Sequence, residues 1–129
     1  MPTCPAVILE HTEPEGGTHF DWLLAQDDLP HAPDDRVLVH FRCQVAPGAA
    51  EVGQSIEVEL GPRHRWVYLR FEGGLSGDRG AVRQIASGCC NWQRFSAANA
   101  VFELEIQGHT TKWEGQSAWG NIWMLRRLA

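Results

Sequence analysis

Two histidines and an aspartate lie close together in the first part of this 129-residue chain. His11 ends an apolar run, a turn rich in proline and glycine follows, and the next run begins with His19 and Asp21. On a strand, residues at i and i+2 share a face about 6.6 Å apart, and His11 could return across the hairpin as a third ligand. Two imidazoles and a carboxylate suit manganese, iron, cobalt or zinc better than calcium or magnesium. We therefore predict a divalent-metal site at these three residues, with positions left open for water or substrate.

A second candidate pair, His64 and Tyr68, follows a Gly-Pro turn. If residues 64–72 form a strand, positions i and i+4 share one face of it, with Trp66 between them. An imidazole and a phenol beside a metal ion are suited to holding a phosphate and guiding proton transfer. We predict that His64 and Tyr68 are catalytic residues.

The elements that must position these residues are short strands. Apolar residues alternate with polar ones over residues 36–45, 56–60 and 100–107, and glycine-containing turns separate the runs. No amphipathic helix and no internal repeat is apparent. Many short strands at this spacing indicate an all-β protein, and we predict a small antiparallel β-barrel with long loops and little helix. Residues 1–129 are expected to form a single domain.

Composition fits an ordinary globular protein, with 43% hydrophobic and 21% charged residues. No apolar run approaches the roughly 20 residues of a membrane helix, and no signal segment begins the chain. The four cysteines do not form a disulfide pattern, so we expect reduced thiols. We therefore expect a soluble, cytoplasmic monomer that does not contact a membrane.

The chain is acidic, with a formal net charge of −5, so any contact with nucleic acid has to be local. Several arginines cluster in one third of the sequence and could provide such a local positive surface. They are Arg63, Arg65, Arg70, Arg79 and Arg83.

Several short motifs follow one another in an order that is specific in combination. They are Val7-Ile8-Leu9-Glu10-His11, His19-Phe20-Asp21, His64 to Tyr68, Phe71-Glu72-Gly73, the glycine-rich loop Gly77 to Gly80, Gly88-Cys-Cys-Asn-Trp92, Phe102-Glu103-Leu104 and the strand Trp123 to Arg127. In this order and spacing the chain resembles the 3′-phosphoesterase domain of bacterial DNA ligase D over nearly its whole length.

The resemblance implies a small β-barrel in which His11, His19 and Asp21 hold a divalent metal, manganese by preference, with zinc or cobalt as alternatives. His64 and Tyr68 would hold the substrate phosphate and assist the attack. The family removes 3′-phosphates and 3′-ribonucleosides from DNA ends before they are sealed. The implied partners are DNA 3′ ends in a primer-template, together with separately encoded ligase and polymerase.

The chain departs from the family pattern at three places. The spacer between His11 and His19 is two residues longer, Leu23 stands where the family has an arginine, and a second family arginine falls near Ser55 and Ile56. Losing two guanidinium groups removes bidentate contacts to phosphate. Three other arginines could supply the charge from another direction: Arg42, Arg63 and Arg65.

Other functions remain open at this stage. A catalytically impaired metal-binding module could hold a DNA end or a repair partner, which the missing arginines favour and the intact His64 and Tyr68 oppose. A non-haem iron oxygenase is a second alternative, because His-x-Asp with a distal histidine is the facial-triad pattern. A metal-free β-barrel is the third, and in that case Asp21→Ala would not change how ions affect stability.

Overall fold

A computed structural model describes residues 3–75 and 78–129, and they form an all-β fold. The strands are β1 (Cys4–Thr12), β2 (Thr18–Leu24), β3 (Arg36–Cys43), β4 (Ser55–Arg65), β5 (Gly73–Gly74), β6 (Ala81–Phe95), β7 (Asn99–Ile106), β8 (His109–Trp119) and β9 (Ile122–Arg127). Two 3₁₀ turns, at Pro47–Ala49 and Trp66–Leu69, are the only helical segments among the described residues. Gly77, which begins the glycine-rich motif noted above, lies outside them.

The strands close into a barrel. The order around the sheet is β1-β2-β3-β4-β9-β8-β7-β6, and β6 also pairs with β1, which joins the two ends of the row. The short β5 adds one further strand to β6 outside the closed ring. All of these pairings are antiparallel, so the prediction of a small antiparallel β-barrel with little helix is confirmed. Closure removes the unpaired edges that an open sheet would expose.

Large aromatic side chains fill the barrel interior. The rings of Trp22 and Trp113 lie 5.2 Å apart, and those of Phe41 and Phe102 lie 6.2 Å apart in a stacked arrangement. Trp123 packs against Phe41 at 5.9 Å, and all five side chains are buried. Three of the six tryptophans, Trp22, Trp113 and Trp123, therefore fill the core, and burial of this much aromatic surface is a large stabilising contribution.

The candidate site lies on the outer face of the barrel wall. His19 and Asp21 alternate along β2 with the core residue Trp22, so their side chains point away from the interior. A covering segment, residues 66–75 and 78–80, lies over this face. The backbone N–H of Trp66 donates to the carbonyl of Asp35 at 2.8 Å, which ties the start of that segment to the loop before β3. His19 and Asp21 are therefore buried although they face outward.

Two sequence predictions about the strands were wrong. His64 and Tyr68 do not share a strand: β4 ends at Arg65, and Tyr68 lies in the following 3₁₀ turn. The reason is that Arg65 pairs with Arg36, the first residue of β3, so no further strand residue is available for pairing. The sequence also predicted two separate strands over residues 81–86 and 89–95, but Ala81–Phe95 is one continuous strand, with a register shift opposite Ile8 and Leu9.

No helix in the described part of the chain combines the length and the apolar character needed to cross a membrane.

Candidate metal centre and anion cavity

The hairpin of β1 and β2 brings the three predicted metal ligands together. His11 is directly opposite His19 in the strand register, and Asp21 is opposite Leu9, two residues further along. Nδ1 of His11 lies 3.1 Å from Nε2 of His19, and the carboxylate of Asp21 lies 3.2 Å from His19 and 3.8 Å from His11. One ligand atom from each side chain lies within 4.8 Å of the other two, so a single ion could contact all three.

The outward nitrogens of both imidazoles face hydrogen-bond acceptors. Nε2 of His11 lies 2.7 Å from the backbone carbonyl of Arg79, and Nδ1 of His19 lies 3.2 Å from Oε1 of Glu13. A carbonyl and a carboxylate accept, so these nitrogens carry the protons, which leaves lone pairs on the two inward nitrogens. Two lone pairs and the Asp21 carboxylate therefore converge on one point. This donor set fits a cation, and such outer partners are typical of metal-binding histidines.

The pKa values of two cluster members favour the forms that bind metals. Burial lowers the pKa of His19, although the nearby Asp21 charge opposes the shift. Burial alone would raise the pKa of Asp21, but the hydrogen bond from His40 and the attraction of neighbouring histidines outweigh it, and the pKa is lowered. Near neutral pH the cluster therefore offers a neutral imidazole at His19 and an ionised carboxylate at Asp21.

A third histidine, His40, supports Asp21 and was not identified from the sequence. Its Nε2 donates to Oδ1 of Asp21 at 2.7 Å, and the residue is 7% exposed. Its other nitrogen, Nδ1, has no hydrogen-bond partner among the described residues. This nitrogen lies over Gly61, and a Cβ atom added to Gly61 would be 2.7 Å from it. The glycine thus leaves room for the ring to reach Asp21. In the sequence, the one sign of this role is the alternation along β3, which places His40 on the face opposite to the core residue Phe41.

Glu13 and Arg42 hold His19, the second predicted metal ligand, on the side of its ring that faces away from the cluster. Glu13 accepts a hydrogen bond from Arg42 at 3.0 Å through the same oxygen that faces His19. Arg42 was predicted as a cation for the substrate phosphate, but its guanidinium is engaged here. In this structure it holds the carboxylate that fixes the orientation of His19.

The two predicted catalytic residues lie beside the cluster. The His64 ring is 4.0 Å from that of His40 and 5.7 Å from that of Tyr68. A small cavity of about 110 Å³, the metal-facing cavity, is lined by His11, Asp21, His64, Tyr68 and Arg79 among others. Burial, with repulsion from His40, lowers the pKa of His64 to about 4, so its imidazole is neutral at pH 7.

A larger cavity of about 320 Å³ adjoins this one and is rich in positive charge. We name it the arginine cavity, and it is lined by Arg36, His64, Arg65, Tyr68 and Arg79. Three of these residues also line the metal-facing cavity: His64, Tyr68 and Arg79. Arg65 donates to the Tyr68 hydroxyl and to Asp34, each at 3.1 Å. Three guanidinium groups around one space are suited to an anion such as phosphate.

Two of the three arginines of this cavity were named from the sequence. Arg65 was predicted to contact the substrate phosphate and Arg79 belongs to the arginine cluster that could contact nucleic acid, whereas Arg36 was not singled out. Arg63 was predicted but contributes to a different cavity, with its guanidinium 5.9 Å from the ring of Phe95. Leu23, at the family's arginine position, is fully buried, and its strand neighbours across the sheet include His40. The positive charge is thus supplied from the strand ends and the covering segment.

The structure brings most of the predicted site residues together. His11, Asp21, His64, Tyr68 and Arg65 line the two adjoining cavities, and His19 completes the ligand cluster. No model of a known protein family matches the sequence, and no curated protein is significantly similar to it. The arrangement of the side chains and the order of the sequence motifs are therefore the features from which a function can be inferred.

Proposed function

We propose that the protein is a divalent-metal-dependent phosphoesterase that removes a 3′-phosphate or a 3′-ribonucleotide from a DNA end. The observation that supports this most is the shared wall between the two cavities. His64, Tyr68 and Arg79 face the metal-ligating cluster on one side and the arginine cavity on the other. A metal ion beside fixed positive charges stabilises the charge that develops when a phosphate ester is hydrolysed.

The three side chains that would hold the metal are His11, His19 and Asp21. We propose manganese, with zinc and cobalt as alternatives, because nitrogen and carboxylate donors suit these ions. A bound metal would polarise a phosphoryl oxygen and acidify a water molecule. His40 and Glu13 would hold two of the ligands in orientation, as outer hydrogen-bond partners do in metal sites.

The remaining groups of the site have roles that follow from their hydrogen bonds. The Tyr68 hydroxyl accepts from Arg65, so its own proton is free to be donated to a phosphate oxygen. Nδ1 of His64 faces the carbonyl of Pro62 at 3.2 Å and carries a proton, which leaves Nε2 with a lone pair. Arg36, with Arg65, would neutralise the phosphate charge.

In this proposal His64 accepts the proton of the attacking water through Nε2. In the hydrolysis of a terminal 3′-phosphate, a bond forms between the water oxygen and phosphorus, and the bond between phosphorus and the 3′ oxygen breaks. His64 takes one proton of the water, and the leaving 3′ oxygen takes up a proton from solvent. A doubly charged phosphate beside His64 would raise its pKa from the low value in the free protein towards neutrality, which strengthens it as a base.

The experiment that tests this proposal measures release of inorganic phosphate from a 3′-phosphate primer-template in the presence of Mn²⁺. We expect the wild type to be stabilised against heat by Mn²⁺ and to release phosphate. His19→Ala should lose both responses, and His64→Ala should lose release but keep the metal response. His109→Ala is the matched control, because His109 is exposed at the start of β8, and it should keep both.

Two other results would contradict the phosphoesterase proposal. Metal stabilisation without phosphate release by the wild type would favour the catalytically impaired module that holds a DNA end or a repair partner. No response to Mn²⁺, Zn²⁺ or Co²⁺ would contradict both functions.

The restriction to 3′ ends of DNA, like the separately encoded ligase and polymerase, comes from the sequence resemblance. A matched 5′-phosphate primer-template tests that restriction, and we expect it to be a poor substrate.

A further inference from the structure

A third cavity opens next to the two that would hold the metal and the phosphate. It has a volume of about 350 Å³, and its lining includes Arg65, Val67, Tyr68, Phe71, Leu75 and Arg79. We name it the aromatic cavity. Tyr68 and Arg79 line all three cavities, and Leu75 lines both this one and the metal-facing cavity. The three spaces therefore meet around the Tyr68 side chain.

The aromatic cavity differs from the metal-facing cavity in size and from the arginine cavity in chemistry. It is about three times as large as the metal-facing cavity, and its volume lies in the range of small-molecule sites, roughly 300–1,000 Å³. Its walls combine two aromatic rings and two aliphatic side chains with guanidinium groups at the side of the arginine cavity. A phosphate needs none of the apolar surface, so this part of the site suits the organic group to which the phosphate is attached.

The two aromatic rings are arranged so that Phe71 can receive a flat ligand. The Tyr68 ring lies 5.3 Å from the guanidinium of Arg65 and stands at 85° to the Phe71 ring, with 5.5 Å between the ring centroids. A base lying flat on Phe71 would stand perpendicular to Tyr68. It could then make a stacked contact with one ring and an edge-to-face contact with the other, and both arrangements are favourable for aromatic groups.

The carboxylate that lines the aromatic cavity favours a neutral group over a second phosphate in this space. Asp34 also lines this space, and its carboxylate is paired with Arg65 at 3.1 Å. That pairing offsets one of the two guanidinium groups that line this cavity, and Arg36, the third arginine of the arginine cavity, does not line it. A nucleoside is neutral and carries a flat base, so it matches the aromatic cavity better than the DNA backbone does.

We propose that the aromatic cavity is the subsite for the leaving nucleoside, with the terminal base against Phe71. The inference rests on the proposed function, because it assigns a place to the group that the hydrolysis releases. With the phosphate held between His64, Tyr68 and Arg79, its ester oxygen lies next to the shared wall at Tyr68 and Leu75. The terminal nucleotide must leave the base stack to enter, so an unpaired 3′ end is the preferred substrate.

The test compares two 3′-phosphate primer-templates in Mn²⁺ whose terminal nucleotide is opposite an abasic template position. In one primer the terminal sugar carries a base, and in the other it is the stable tetrahydrofuran analogue of an abasic sugar, so the two primers differ at the base position. We expect the wild type to act on the base-bearing primer with a kcat/KM about tenfold higher, in keeping with a base-aromatic contact. Phe71→Leu, which keeps an apolar side chain, should reduce this ratio to near one while the abasic rate stays within about twofold.

Each outcome of this test has one meaning. A wild-type ratio near one, with phosphate released from both primers, overturns the nucleoside subsite and leaves the phosphoesterase function standing. A tenfold ratio that Phe71→Leu does not change also overturns it, because the preference then comes from elsewhere. No release from either primer by the wild type overturns the function and the subsite together. The wild-type ratio tests the subsite even if Phe71→Leu does not fold.

Discussion

The imidazole of His40 donates a 2.7 Å hydrogen bond to the carboxylate of Asp21, from the neighbouring strand and within the barrel wall. Both residues are buried, and one carboxylate oxygen is thereby occupied while the other faces His11. We expect His40→Ala to weaken Mn²⁺ binding about 10- to 100-fold, the usual effect of removing a partner of a metal ligand. Isothermal titration with Mn²⁺ measures this change.

Two further variants separate a positioning role for His40 from a general loss of stability. His40→Gln retains a donor and should recover part of the lost affinity, whereas His109→Ala, at an exposed position of β8, should bind Mn²⁺ as the wild type does. If His40→Ala lowered thermal stability but left Mn²⁺ affinity unchanged, His40 would be a packing residue and its assigned role would be wrong.

Gly61 provides an independent test of the same contact. A Cβ atom at this position would lie 2.7 Å from Nδ1 of the buried His40 ring, so Gly61→Ala should displace the ring from Asp21. We expect a loss of about 1–3 kcal/mol in the free energy of unfolding, as for other overpacked sites, together with weaker Mn²⁺ binding. Gly48→Ala is the matched control, since an added Cβ there meets no atom within 4 Å. Denaturant unfolding and Mn²⁺ titration of both variants check the prediction. Equal behaviour of the two would contradict it.

The arginine cavity predicts a difference between Arg36 and Arg63. Arg36 lines the cavity beside His64, whereas the guanidinium of Arg63 packs over Phe95. Removing one charged hydrogen-bond donor costs about 1.5–3 kcal/mol, so Arg36→Ala should weaken binding of inorganic phosphate at least about tenfold. Arg63→Ala should leave it unchanged. Titration of the Mn²⁺-loaded protein with phosphate measures both, and an equal effect of the two variants would count against the cavity.

The low pKa of His64 predicts that stability of the metal-free protein falls with acidification. The imidazole has a pKa of about 4 when folded, against 6.5 as the ordinary value, so the unfolded chain binds this proton more tightly. The neutral His64 imidazole therefore contributes to the free energy of unfolding above pH 6.5, and this contribution is lost as pH falls towards 4. It amounts to at most about 3 kcal/mol.

In EDTA, His64→Gln should therefore show a shallower decrease of unfolding free energy between pH 7 and 5 than the wild type. The exposed residue His109 gives the control, and His109→Gln should follow the wild-type curve. Parallel curves for wild type and His64→Gln would contradict the assignment.

The sequence was informative where the site depends on local geometry. His19 and Asp21 share a face because strand side chains alternate, and His11 faces His19 because a short turn sets the register of the hairpin. The alternation in β3 and β7 likewise predicted strands with one apolar face. Together these patterns were sufficient for the fold class and for the three-residue cluster.

The sequence could not place the residues that reach the site across long connections. The 25–35 connection does not fix the register of β3 on β2, so the contact between His40 and Asp21 appears only in the folded chain. Arg36 and Arg79 are distant in sequence and meet because the covering segment lies on the outer wall. Tyr68 reaches His64 through a 3₁₀ turn rather than along a strand, since β4 has no partner beyond Arg65. Alternation also does not reveal which face of a closed sheet is the interior.

The measurement that tests the central claim most directly is a Mn²⁺ titration followed by electron paramagnetic resonance, with the wild type beside Asp21→Asn. Free Mn²⁺ gives a sharp signal that is lost on binding to protein. We predict one bound ion per wild-type chain and at least about tenfold weaker binding by Asp21→Asn, which retains the shape of the side chain but removes its charge. Equal titration curves for the two proteins, or no binding by the wild type, would contradict a metal centre at His11, His19 and Asp21.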